Sequence, residues 1–475
     1  MNPGIMLLLY NATIVTGESA GNGSVTVSGE KISEVLHPEE DGTVVFEGKK
    51  IPYCSLPEEF KKSYPDARIY DLTGKMLLSG GIDTHVHFRE PGLTEKADMA
   101  SESLAAIAGG VTSFVDMPNT TPPTISAERL EEKINMAEGR SYANFGFHIG
   151  ATNSNFKEIS AMMDSKEGAE SFGGIKVFMG SSTGNMLVDN ESALERIFRN
   201  DKKEVLVHCE DESIIRENIS AAQEKFGEEI PFSEHENIRS RKACIKSSAK
   251  ALEMAIKYGT RLHLLHVSTA EEVEMVRAAK SINNGITAET SVNYLWFCDD
   301  DYEKMGSRLK CNPSVKTGKD REALINALRD GTIDSIGSDH APHLSAEKER
   351  KYLAAPSGLP SIQQSLPVLI TIAARNDIPL TRIASVFSER AAEIFGIDRR
   401  GKIQKGYYAD LTVVDPDRKF TVTKDSLKYK CGWSPYEGIE LQGYVETVFI
   451  SGKEAVNEGK TDTNAVLGKK LIFNR

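Results

Sequence analysis

Eight apolar runs, at 76–82, 111–117, 144–151, 174–179, 204–208, 261–267, 285–292 and 332–336, punctuate the middle of the chain. Helical patterns lie between them, clearest at 97–108, 127–137 and 270–279. Short apolar runs separated by enough chain for a helix are what a parallel sheet buried on both faces requires. Eight such units are the count that closes into a (β/α)8 barrel. A doubly wound open sheet is the competing α/β arrangement, but no GxGxxG or phosphate-loop pattern follows the first run. The two ends of the chain have another texture. Segments 7–15, 24–27, 31–36, 409–414 and 446–450 read as strands joined by turns. The expected fold is therefore an α/β TIM-type (β/α)8 barrel at 76–400, flanked by a β-sandwich built from both termini, 1–75 and 401–475. Residues 38–66, rich in Glu, Lys and Pro, read as an insertion in that smaller domain.

A chain of 475 residues can bury one large core and a satellite. Its 57 Lys and Arg against 69 Asp and Glu give a net charge of −12. That balance argues against a nucleic-acid or anionic-membrane partner, and an acidic substrate would need a local cationic pocket. The six cysteines form no CxxC pair and read as reduced thiols. The apolar run at 5–10 is too short for a signal peptide, and no segment has the length of a membrane span. A cytoplasmic protein is the expectation.

Polar residues gather at the C-terminal ends of the apolar runs, where a barrel carries its active site. His85 and His87 close the first run, and residues two apart in a strand point the same way. His208 and His266 end two later runs, and Asp339 follows the eighth. A single strand histidine is usually a core residue. Four, with an aspartate, at successive strand ends form a ligand set suited to zinc or a similar divalent ion. His37, His148, His235 and His263 have no such placement; His263, three residues before His266, should face the other way. Lys176 sits inside an apolar strand, where an unpaired ammonium is costly. Two states suit it: a carbamate formed with CO2, able to bridge two metal ions, or an amine that snorkels to the strand end.

The motifs Gly80-Gly-Ile-Asp-Thr-His-Val-His-Phe-Arg-Glu-Pro-Gly92, Val115-Asp-Met-Pro-Asn-Thr120, Gly174-Ile-Lys-Val-Phe-Met179 and Ser338-Asp-His-Ala-Pro-His343 resemble those of the dihydroorotases of the cyclic amidohydrolase superfamily. The resemblance covers nearly the whole chain. It implies a metal-dependent barrel enzyme that interconverts N-carbamoyl-L-aspartate and L-dihydroorotate in pyrimidine synthesis. Carried over by position, His85, His87 and Asp339 would hold one zinc ion and His208 and His266 a second, bridged by carbamylated Lys176. Some bacterial relatives bridge with an aspartate elsewhere. Arg89 would offer its planar fork to the substrate carboxylate. Asn119 and His343 would complete that pocket, Asn312 would touch the ring, and Asp339 would move the catalytic proton. The family also suggests a homodimer and an association with an aspartate transcarbamoylase.

Two rival readings share most of these features. Allantoinases and dihydropyrimidinases (hydantoinases) carry the same metal residues, but their uncharged rings do not need Arg89 and Asn119. Allantoinase-type relatives usually have Asn where Arg89 stands. A non-catalytic scaffold of the superfamily would typically have lost ligands, and here all six metal positions hold competent residues. The Gly/Ser-rich segment 180–186 reads as a flap or an ordinary loop. The stretch 339–360 reads as a loop over the ring, its charged part as solvated surface. Trp433-Ser-Pro-Tyr436 reads as packing between the domains.

Overall fold

The computed structural model describes residues 6–180 and 186–474. Eight parallel strands form the barrel: β1 (Gly81–Val86), β2 (Val111–Asp116), β3 (Asn144–Phe147, continued by Ile149–Gly150), β4 (Ile175–Phe178), β5 (Val205–His208), β6 (Leu262–Leu264), β7 (Ile286–Thr290) and β8 (Ser335–Ile336). A parallel bridge between Val86 and His340 closes the ring, and the His87 amide donates to the His340 carbonyl at 2.8 Å. Strand residues are buried almost throughout, which explains why the sequence shows continuous apolar runs instead of alternation.

Helices start where the sequence supplies a cap. Met99–Ala108 begins after Asp98, whose side chain accepts from the Ser101 amide at 2.8 Å. Ala127–Ala137 and Ala270–Lys280 begin after Ser126 and Thr269. The 18-residue helix Arg241–Tyr258 was not expected. Its inward face is Ala243, Cys244, Ser247, Ser248, Ala251, Leu252 and Ala255; the spacing is helical, but small residues make a faint apolar stripe.

Strands from both termini share one nine-stranded sheet, in which Met6–Val15, Ala20–Ser28 and Lys31–Leu36 join Leu411–Thr421 and Glu440–Ile450. The link between them is Met76–Ser79, parallel to Met6–Val15 and antiparallel to Leu411–Thr421. The apolar run 76–82 is thus two strands in two layers. The chain crosses between them at Gly80, where a Cβ would lie 2.2 Å from the Thr112 side chain. Residues 38–66 form a hairpin, Thr43–Phe46 with Lys49–Pro52, and a short helix, Leu56–Ser63, with a small core of Val44, Phe46, Leu56 and Phe60. Among the described residues no helix is long and apolar enough to cross a membrane. Of the segment 180–186, residues 181–185 lie outside the described residues.

Candidate metal centre and pocket

The C-terminal ends of the barrel strands open onto a cavity lined by His85, His87, Arg89, Asn119, Lys176, His208, His266, Asn312 and Asp339, with Phe178, Ala341, Ser357 and Gly358. Nine of the ten residues singled out from the sequence therefore line one cavity. The tenth, His343, stands behind it, with Nε2 3.0 Å from Arg89 Nη2 and 3.1 Å from the Ser357 carbonyl.

His85 is the penultimate residue of β1 and His87 lies just beyond it, and both Nε2 atoms face Asp339 Oδ1, at 3.4 and 3.2 Å. Their other nitrogens are engaged. His85 Nδ1 donates to Glu289, and His87 Nδ1 donates to Asn119 Oδ1 at 2.8 Å. Each Nε2 then presents a lone pair to a carboxylate oxygen. Such a ring of acceptors is favourable only around a cation, and these three residues form a cluster of metal-binding type. On the other side, His208 Nδ1 and His266 Nε2 face each other at 2.8 Å. His266 Nδ1 is buried with no hydrogen-bond partner among the described residues. Burial pushes His85, His208 and His266 below the ordinary histidine range, which keeps the rings neutral with a lone pair available. The donor set fits divalent metal ions.

Lys176 lies between the two groups, buried, with Nζ 4.7 Å from the Phe178 ring centre. Burial pulls its pKa to about 8, against the attraction of Asp339 and Glu289. Burial alone would raise the Asp339 carboxyl, but the positive charge that His85, His87 and Lys176 can carry opposes it and leaves it below the usual carboxylate value. Arg89 is 3% exposed, so a full guanidinium charge sits in the wall; its Nε donates to the Pro342 carbonyl at 3.1 Å. Asn312 Oδ1 is buried and has no hydrogen-bond partner among the described residues.

Two carboxylates escaped the sequence reading. Glu289 on β7 is fully buried, and beside its contact with His85 it lies 3.4 Å from His263 Nε2. A Cβ on residue 337 would approach its carboxylate to 2.5 Å, so the glycine there makes room for it. Glu210 pairs with Arg239 and lies 3.1 Å from His208 Nε2. The signal for Glu289 was a charge inside an apolar run, the same signal that singled out Lys176. His263 also departs from expectation. β6 ends at Leu264 and His266 takes a φ of 38°, so the alternation breaks and both histidines adjoin the Glu289–His85 cluster. The charged part of 339–360 is likewise not plain surface: Lys348 is buried, and Trp433 Nε1 donates to the His343 carbonyl at 2.7 Å.

A (β/α)8 barrel with histidines, a lysine and an aspartate converging at its strand ends, beside a sheet drawn from both termini, is the architecture of the metal-dependent amidohydrolases. The Amidohydrolase family profile matches residues 76–455, and the chain belongs to that family. A dihydroorotase of Methanosarcina acetivorans is 34% identical over 416 residues, covering 85% of this chain and 86% of that protein. An allantoinase of Streptomyces avermitilis is 29% identical, with 96% of each chain covered. Among solved structures, an L-hydantoinase (dihydropyrimidinase) from Arthrobacter aurescens superposes with a TM-score of 0.87 at 24% identity, over 98% of this chain and 99% of that one. This last similarity concerns the fold. The hydrolase-named relatives agree with a cyclic amidohydrolase.

Proposed function

We propose that the protein is a dihydroorotase, closing N-carbamoyl-L-aspartate to L-dihydroorotate and water, and reopening it, in cytoplasmic pyrimidine synthesis. The observation that carries this choice over allantoinase or hydantoinase is Arg89. A guanidinium 3% exposed on the cavity wall is a large desolvation cost unless an anion completes it. The ring of dihydroorotate carries a carboxylate, whereas allantoin and dihydrouracil do not. The 34% identity to dihydroorotases supports the same choice.

In this reading His85, His87 and Asp339 would hold one Zn2+, His208 and His266 would hold another, and Lys176, as a carbamate, would add an anionic ligand. A lysine depressed to about 8 has a substantial neutral fraction near pH 7–8, and only the neutral amine adds CO2, releasing one proton. Bound Zn2+ supplies the Lewis acidity that makes water a nucleophile near neutral pH. The chain does the rest. Arg89 and Asn119 hold the substrate carboxylate, and Asn312 Oδ1 accepts from a ring N–H. Asp339, ionised because its pKa is held low, takes the proton of the attacking water on a carboxylate oxygen. It then returns that proton to the ring nitrogen as the C–N bond breaks.

The deciding experiment is turnover of dihydroorotate, allantoin and dihydrouracil by the purified protein before and after chelation. Turnover of dihydroorotate alone, lost on chelation and restored by Zn2+, is expected. A preference for either uncharged ring, or activity indifferent to metal, ends this reading.

A further inference from the structure

Behind the cavity wall, several side chains meet at one imidazole. His343 Nδ1 lies 3.2 Å from Lys96 Nζ; its Nε2 lies 3.0 Å from Arg89 Nη2 and 3.1 Å from the Ser357 carbonyl oxygen. Lys96 is also paired with Glu347 at 2.8 Å, so it is an ammonium and can only donate. Burial, with Arg89 and Lys96 close by, pushes His343 far below the histidine range, so the ring is neutral and has one N–H and one lone pair.

These contacts choose between the two tautomers. With the proton on Nε2, Lys96 donates to Nδ1 and Nε2–H donates to Ser357; only Arg89 then meets a donor. With the proton on Nδ1, Arg89 gains an acceptor, but Lys96 faces an N–H and the Ser357 carbonyl faces a lone pair. The nearest carboxylate oxygen for Nδ1–H, Glu347 Oε2, is 3.8 Å away, beyond a hydrogen bond. Two matched contacts and one clash outweigh one match and two clashes.

Arg89 and Ser357 line the cavity, so the tautomer bears on binding. Resting on the dihydroorotase reading, we propose that Lys96 is a positioning residue: it holds His343 as the Nε2–H tautomer, which denies Arg89 Nη2 an acceptor at the imidazole and keeps that donor for the substrate carboxylate. The Nε2–H also pins the Ser357 carbonyl, fixing that part of the cavity lining. Without Lys96, His343 is free to turn its lone pair toward Arg89 and withdraw it from the pocket.

The test reads the tautomer directly, in the Zn2+-loaded protein labelled with [15N]histidine. Long-range 1H–15N spectra, with His343 assigned by its loss in His343→Asn, should show the proton on Nε2. Lys96→Met should move it to Nδ1 and raise the KM for dihydroorotate about tenfold, the loss of one charge-assisted hydrogen bond, with kcat within about twofold. Lys96→Arg, which keeps a cationic donor, should retain the wild-type tautomer and KM. A proton on Nδ1 in the wild type, an unmoved tautomer in Lys96→Met, or an unmoved KM overturns the proposal. Should Lys96→Met fail to fold, the wild-type and Lys96→Arg spectra decide it. A wild-type protein inert toward dihydroorotate overturns the functional reading instead, and the spectra then judge the tautomer by themselves.

Discussion

At Glu289 a single carboxylate sets the direction of His85 beside it. Its hydrogen bond to His85 Nδ1 leaves Nε2 as the lone-pair atom that faces Asp339. Outer partners of this kind typically tune metal affinity by 10–100-fold. Glu289→Gln keeps the shape and an acceptor oxygen but removes the charge that stabilises the N–H donor. Metal retention should fall at least about tenfold, measured by the metal left after equilibrium dialysis against a graded chelator. Wild-type retention would show that His85 does not need this partner. Local backbone conformation adds to the constraint. Arg89, His266 and Asp339 have φ values of 66°, 38° and 47°, in the left-handed region that non-glycine residues rarely adopt. Each costs on the order of 1 kcal/mol or more, so packing around the pocket must hold them there.

Among the elements, those with a local signal were legible in the sequence. Capped helices such as Met99–Ala108 and Ala127–Ala137, the eight apolar runs and the strand-end residues could be read because burial and capping leave marks within a few positions. What was hidden depended on partners far away in sequence. The split of 76–82 into two strands depends on the sheet formed by Leu411–Thr421, and the roles of Glu289 and Lys96 on histidines more than 200 positions distant. The segment after His343 is another such case. It has little regular structure, and its buried carbonyls need donors. Lys348 Nζ donates to the carbonyls of Lys310, Pro356 and Gly358 at 3.0, 2.9 and 3.1 Å, and Lys310 Nζ donates to those of Tyr352 and Ala355 at 2.6 Å each. Two buried lysine side chains thus strap the strip that carries Ser357 and Gly358 to the pocket. Lys348→Met would leave three acceptors without that donor and should cost on the order of 3 kcal/mol in urea unfolding, together with a raised KM. Unchanged stability would mean that water replaces the Lys348 side chain without loss.

For the whole molecule, the barrel's habit of burying neutral histidines sets its response to acid. His148 and His235 lie outside the proposed ligand set, yet both are fully buried and hydrogen-bonded as neutral rings, to the Thr84 carbonyl and to the Cys311 carbonyl and Tyr352 hydroxyl. Burial, opposed by the Thr84 hydrogen bond, brings His148 from 6.5 down to about 3, and burial also pushes His235 well below 6.5. When the pH falls below 6.5 the unfolded chain protonates these rings while the folded chain does not. The unfolded state then binds more protons, so stability drops as pH falls. For His148 the window runs from 6.5 to about 3, with a slope approaching about 1.4 kcal/mol per pH unit. Above pH 6.5 both states are neutral and the dependence vanishes. Denaturant unfolding at fixed zinc between pH 7.5 and 4.5 should show stability flat at first and then declining. His148→Gln should remove close to one proton's worth of that slope, even if it lowers stability at pH 7.5. An equally steep decline in the variant would show that His148 takes up its proton in the folded barrel, and that burial there does not hold the ring neutral.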